Sequence, residues 1–373
     1  MRLSKSAFIT LLVMALGSTA SARPADVDNP QDLGTLGGSF SVANGIAPGG
    51  ANIAGNSTIT GDTATHAVLW EIGNVLDLGV FPGGTNSSAS AATSKQRAAG
   101  TSDYNDPVFG VVPHAFLFVD SMLTDLGTLG GSQSQGNGIN RHGAVVGLSV
   151  TTGDAATHAF VSDPSNGNAL VDLGTLGGAN SAAQAINRHG LVAGSSQTTA
   201  TDQYGNQISD AVIWDTKNGK AYDLGALGGT YAQANAINGC AVTAGFVTLT
   251  SGQTDAFVGG GGSNLTDIGN LGGSYAQANG INDFGVVVGF SNTTGNAGVD
   301  AFVWTSSKGI VDLNSLLPAS SPWVLNVASA INNRGEIVGY GTFNGENHAF
   351  LWKLSEFAGG SGSYCACQEQ EKD

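Results

Sequence analysis

The sequence predicts an all-β fold: a single seven-bladed β-propeller of four-stranded antiparallel blades, closed by an N-terminal strand. Three observations carry that prediction. A unit of about 45 residues recurs, anchored by Asp-Leu-Gly or a close relative at Asp32, Asp77, Asp125, Asp172, Asp223, Asp267 and Asp312, with spacings of 45, 48, 47, 51, 44 and 45 residues. Each unit holds four short apolar segments bounded by Gly, Asn, Asp, Ser and Thr, which is strand punctuation, and no segment keeps a helical period. The chain opens with a lone Asp-Leu-Gly strand at Asp32 and ends its last unit on a third strand at His348 to Trp352. The first strand can therefore complete the last blade. A parallel β-helix would show a shorter period, whereas blades of this length bury their faces against one another around a ring.

The elements follow in order. In the third unit the strands are expected over 134–140, 143–149, 158–162 and 169–173. The first two are joined by Asn-x-x-Gly at Asn140 to Gly143, as also at Asn187 to Gly190, Asn282 to Gly285 and Asn332 to Gly335. Asn opens a type I turn, and Gly takes the left-handed position without a Cβ penalty. The fifth unit has Ala241 in the Gly slot, and the second has lost the motif over 93–96, so irregular turns are expected there. The strand after Gly-Gly alternates small residues, such as Ala43 and Gly45 or Ala183 and Ala185, as an innermost strand near an axis must. Between them stand neutral polar residues: Asn44, Ser90, Asn137, Gln184, Asn235, Asn279 and Ser329. The second strand, with Val145-Val146 and Val286-Val287-Val288, reads as buried on both faces.

Composition bounds the function. Residues 1–22 combine Arg2 and Lys5, an apolar run over 7–16 and the small-residue end Ala20-Ser21-Ala22, the layout of a secretory signal peptide cleaved before Arg23. The domain then runs over 23–354, and 355–373 is a Gly/Ser-rich and charged tail expected to be disordered. Secretion, to the extracellular space, periplasm or cell surface, is the expected localisation, with no membrane span and a monomeric state. With 28 acidic and 13 basic residues, nucleic acid is not an expected partner. Three cysteines cannot all pair internally, and Cys240, in a turn position, reads as a spare thiol.

The strings Asp125-Leu126-Gly127-Thr128-Leu129-Gly130-Gly131, Ile139-Asn140, Val145-Val146-Gly147 and His158-Ala159-Phe160 resemble the bacterial extracellular HAF repeat family, named for its His-Ala-Phe triplet. The resemblance runs from about Gln31 to Lys353. It implies export and a repeat fold and supplies no reaction. Three units replace the histidine of the triplet, with Asp210-Ala211-Val212, Asp255-Ala256-Phe257 and Asp300-Ala301-Phe302.

The candidate chemistry is sparse. His66, His114, His158 and His348 would stand on different blades, too far apart for one metal ion, so they read as polar groups satisfying backbone at a strand start. The Asp of Asp-Leu-Gly reads as a turn cap. The inner strands hold no Asp or Glu pair of the kind glycoside cleavage needs, and no nucleophile elbow appears. The sequence therefore points to a binding or scaffold module with no catalytic residue and no required cofactor. Two alternatives stay open: a hydrolase carried by loops, and a calcium-dependent adhesion module using Asp62, Asp103, Asp106, Asp154 and Asp202. Two residues beyond Gly-Gly the chain places Phe40, Asn86, Gln133, Asn180, Tyr231 and Tyr275, expected to meet at one mouth of the central channel. Rings beside neutral amides suit a glycan or a peptide.

Overall fold

The structure, a computed structural model, describes residues 29–50, 52–71, 73–260 and 262–357. The leader over 1–22 and the tail beyond 357 lie outside them. Among the described residues the chain is strand and turn, with five short 3-10 turns and no α-helix.

Four-stranded antiparallel ladders repeat along it. In the third unit they are Gly130–Ile139, Val145–Thr151, Thr157–Asp163 and Ala169–Asp172. Gly136 faces Gly147, Gly147 faces Phe160, and Phe160 faces Asp172. The inner strand begins at Gly-Gly, four residues earlier than the sequence suggested. Its counterparts are Gly37–Ile46, Ser87–Ala92, Gly177–Ile186, Tyr231–Ile237, Gly272–Ile281 and Trp323–Ile331. Successive inner strands are in contact, and Trp323–Ile331 contacts Gly37–Ile46. At the other end of the chain, Gln31 and Asp32 pair with Leu351 and Phe350.

Each inner strand carries a β-bulge at the same place, for example between Ala43 and Gly45, Gly136 and Gly138, and Ala278 and Gly280. The residue inserted there is the neutral polar one. A bulge re-aims a side chain, and these seven line one open cavity of about 410 Å³ at the centre. Crowding explains the small residues beside them. A Cβ on Gly280 would lie 2.9 Å from Ala330 Cα of the next inner strand. One on Gly147, in the second strand, would collide with the Gln135 carbonyl oxygen and meet the Phe160 ring.

The core lies between neighbouring units. The Phe of each His/Asp-Ala-Phe triplet, at Phe116, Phe160, Phe257, Phe302 and Phe350, is fully buried, as are Val145 and Val146. Val146 and Ala159 pack with Ala183, Val192, Val212 and Trp214 of the following unit. Val338 and Ala349 pack in the same manner with Ala43, Ile53, Val68 and Trp70 of the first.

Three expectations need correction. The turns at 93–96 and 238–241 are regular: Gln96 (φ 54°) and Ala241 (φ 63°) adopt the left-handed conformation that Gly143 and Gly190 hold elsewhere. Ala241 N–H donates to the Asn238 carbonyl at 3.2 Å, as Gly143 does to Asn140 at 3.0 Å. Packing of the flanking strands imposes the turn even on a residue with a Cβ. Of the expected tail, Ser355–Phe357 form a 3-10 turn, and the rest lies outside the described residues. Cys240 is no spare thiol; it is disulfide-bonded.

Candidate ligand-binding site

The repeated motif is a set of hydrogen-bonding roles, and separating these from what remains defines the site. The Asp of Asp-Leu-Gly caps its turn: Asp125 Oδ1 accepts from Gly127 N–H at 2.8 Å, and Asp223 from Gly225 at 2.8 Å. Its carboxylate also meets the triplet histidine, His66 with Asp77, His114 with Asp125, His158 with Asp172 and His348 with Asp32, at 2.8 to 3.1 Å. The histidine role is therefore corrected from backbone satisfaction to a side-chain pair across the third and outer strands. The triplet Ala donates its N–H to a serine on the next inner strand, Ala159 to Ser181 at 2.9 Å and Ala349 to Ser41 at 3.0 Å.

Where Asp replaces His, two carboxyl groups face each other. Burial, then the charge of Asp223, push Asp210 up to about 6. Burial raises Asp300, with Asp312 adding to it, and burial raises Asp267 with Asp255 nearby. The serine on the following inner strand is then replaced, by Ala232, Ala276 or Leu325.

Two tiers of amides staple unit to unit. Channel residues donate outward: Asn44 Nδ2 to Ala89 O at 2.9 Å, Asn137 to Ala183 O at 2.9 Å, Asn235 to Ala278 O at 2.9 Å and Asn279 to Ala328 O at 3.0 Å. The turn asparagines do so at the far end, Asn187 to Asn238 O at 3.0 Å, Asn238 to Asn282 O at 3.1 Å, Asn282 to Asn332 O at 3.3 Å and Asn332 to Ala47 O at 3.5 Å. Their Oδ1 meanwhile caps their own turn, Asn238 accepting from Cys240 and Val242 N–H at 2.9 and 3.0 Å.

Of the six residues proposed for the mouth where the chain enters the inner strands, two are brought together. Tyr231 stacks on Phe246 with ring centroids 5.7 Å apart, Phe246 lies 6.3 Å from Tyr275, and Tyr275 stacks on Phe290 at 5.7 Å. This row of four half-buried or exposed rings spans the fifth and sixth units. Each tyrosine heads an amide ladder into the channel. Tyr231 Oη donates to Gln233 Oε1 at 2.7 Å, Gln233 Nε2 to Asn235 Oδ1 at 2.8 Å; Tyr275, Gln277 and Asn279 repeat this at 2.9 and 2.9 Å. Burial, with the neighbouring Tyr231, raises the Tyr275 phenol above its usual range, so Tyr275 is a neutral donor at physiological pH.

Asn86 and Asn180 are used as brackets. Asn86 Oδ1 accepts from Thr65 N–H at 3.1 Å, and Asn180 Oδ1 from Thr157 N–H at 2.9 Å, each on the preceding unit. Phe40 is half-buried, its backbone paired with Asn347, and Gln133 is exposed. Sequence reasoning missed Phe246 and Phe290. Their signal was present: an aromatic follows the second-strand glycine, as Gly245-Phe246 and Gly289-Phe290, in both units that carry the mouth tyrosines.

The five loop aspartates accept backbone N–H groups. Asp62 takes Ser39 and Asp154 takes Ser132, both at 2.8 Å; Asp106 takes Val108 and Phe109, Asp202 takes Tyr204 and Asn206, and Asp103 takes Asn86. Hydrogen bonds from Thr58 and Ser39 hold Asp62 below the usual carboxylate range, and those from Phe109 and Val108 do so for Asp106. Among the described residues, no three His, Cys, Asp or Glu side chains cluster in a metal-binding arrangement.

The opposite mouth holds a second cavity, of about 430 Å³, which the sequence reading had left aside. Ile46, Ile139, Ile186, Ile237, Ile281 and Ile331, with Ala92, form its apolar wall. Lys95, Arg141, Arg188 and Asp283 also line it, with Arg188 Nη1 3.3 Å from Asp283.

No family model and no curated protein matches the chain. Solved structures do. The β-propeller domain of the Trilobed protease from Pyrococcus furiosus, described as having an open velcro topology, is 11% identical, with 92% of this chain and 99% of that one covered and a TM-score of 0.53. TolB from Acinetobacter baumannii is 10% identical over 77% of this chain and 76% of its own, at a TM-score of 0.45. The gluconolactonase XC5397 from Xanthomonas campestris is 14% identical over 89% and 97%, at 0.40. The first of these places the fold among β-propellers and says nothing of function. No helix among the described residues is long and apolar enough to cross a membrane.

Proposed function

We propose that this chain is a secreted propeller of the HAF repeat type, seven blades closed by the strand at Gln31–Asp32, whose entry mouth binds a neutral glycan. The row Tyr231, Phe246, Tyr275, Phe290 above two amide ladders carries the reading. Stacked rings match the apolar faces of a sugar, and the phenol and amide groups exchange hydrogen bonds without a charge to desolvate. The closed ring is supported by the pairing of Asp32 with Phe350, the shared core of first and last units, and the contact between their inner strands. Catalysis is not part of the proposal, and the loop aspartates enter it as turn caps.

Glycan-array binding by the purified protein, repeated with Tyr231→Ala and Tyr275→Ala, tests it. Binding should weaken roughly tenfold in each variant with the melting temperature unchanged. Binding to an arrayed peptide library instead would transfer the site to peptides. Retained glycan binding in both variants overturns the site.

A further inference from the structure

The mouth opposite the aromatic row is built in tiers. On six inner strands an isoleucine stands two residues beyond the polar channel residue, as Ile139 after Asn137 and Ile186 after Gln184, and Ala92 takes that place in the second unit. Two residues farther on come the turns, with Arg141 and Arg188. Two residues of strand rise by roughly 6–7 Å, so amides, isoleucines and charges follow one another outward. The isoleucine tier walls a cavity of about 430 Å³, room for a small organic molecule, and Ile46, Ile186 and Ile237 keep part of their surface open. In a chain of formal net charge -15, the outer tier sets Lys95, Arg141 and Arg188 against one lining carboxylate, Asp283. That carboxylate is already engaged: it meets Arg188 Nη1 at 3.3 Å and accepts from Asn333 Nδ2 at 2.8 Å and Gly239 N–H at 2.7 Å. Glu336, just beyond the last turn, is likewise taken, accepting from Asn332 Nδ2 at 2.6 Å. Arg141 donates its Nε–H to His142 Nε2 at 3.2 Å, and among the described residues neither Arg141 nor Lys95 meets a carboxylate.

We infer that this mouth binds a small amphiphilic carboxylate, its aliphatic body among the isoleucines and its carboxylate at the rim that Lys95 and Arg141 line. The two halves of such a ligand match two different tiers. Apolar burial supplies the affinity, roughly fourfold per methylene taken out of water. The cations supply the choice of head group, because an ammonium would meet like charge and a neutral head would gain nothing from them. The inference is independent of the glycan reading, which concerns the other mouth.

Calorimetric titration of the purified full chain with octanoate, hexanoate, octylammonium and 1-octanol tests it. Octanoate should bind saturably, and hexanoate, two methylenes shorter, roughly tenfold more weakly. Octylammonium should bind at least roughly tenfold more weakly than octanoate. In the double variant Lys95→Gln and Arg141→Gln, octanoate should weaken roughly tenfold while octanol is unchanged. Ile237→Asn should weaken both, locating the chain in the cavity. If Ile237→Asn fails to fold, the hexanoate comparison and the rim variant give the reading. Absence of saturable octanoate binding overturns the site, and equal binding of hexanoate and octanoate overturns the apolar tier. Equal binding of octanoate and octylammonium, or a rim variant that binds octanoate as the parent does, overturns the carboxylate.

Discussion

At Ala241 a side chain occupies a left-handed backbone position, φ 63°, that five other units give to glycine. The Cβ there costs about 1–2 kcal/mol, partly offset in the unfolded chain, where glycine has more freedom to lose. Ala241→Gly should therefore stabilise the protein by about 0.5–1 kcal/mol, read as a higher urea midpoint with unchanged m-value. Asp210 poses a charge problem of the same local kind. Its folded pKa, about 6, lies above the ordinary carboxylate value of 3.8. The sign follows: its stabilising contribution is fully present below about pH 4 and is lost as pH rises through about 6. Asp210→Asn should be more stable than the parent at pH 7.5, and the difference should shrink as pH falls towards 4. Melting curves across that range check it, and a constant difference would mean that Asp210 does not titrate between those pH values. Neither effect was legible in the sequence, where Ala241 read as a sign of irregularity and Asp210 as a simple substitute for His.

At the scale of the element, one asparagine serves both its own hairpin and its neighbour. Asn238 is buried, caps the turn through Oδ1, and donates through Nδ2 to Asn282 O. Asn238→Ala leaves those buried groups unpaired and should cost about 2–3 kcal/mol. Asn238→Asp keeps the cap but loses the donor, so it should fail to restore stability. Rescue by Asp would show that only the turn matters. The sequence identified the Asn-x-x-Gly turn because its chemistry is local. The second role of the asparagine, reaching the next unit, was invisible because the acceptor lies 44 residues away.

For the whole molecule, the pairing of the first strand with the last unit bears on stability. Residues 29–34 contribute the Gln31–Leu351 and Asp32–Phe350 pairing, the Asp32–His348 pair, the Leu33 N–H bond to Ala349 and the Pro30 carbonyl that accepts from buried Trp323 Nε1 at 3.0 Å. Deleting 29–34 should lower the melting temperature by on the order of 10 °C, since it removes several kcal/mol of contacts and exposes an edge. An unchanged transition would mean the last unit is complete without that strand.

The sequence by itself determined the repeat, the strand order within each unit, the small-residue inner strand and the polar channel positions. All of these rest on periodicity and local backbone chemistry, which a single chain displays in the spacing of Gly, Asn and Asp. It also marked Tyr231 and Tyr275. What only the tertiary structure decided are pairings between residues from different strands or units: triplet histidines with the Asp of Asp-Leu-Gly, Phe246 and Phe290 completing the aromatic row, and Asn86 and Asn180 acting as brackets. It also gathered six isoleucines, one from each of six inner strands, into one cavity. The physical reason is that a channel mouth takes one residue from each unit, so its chemistry is written at intervals of a whole repeat. It becomes a surface only when the units are set side by side.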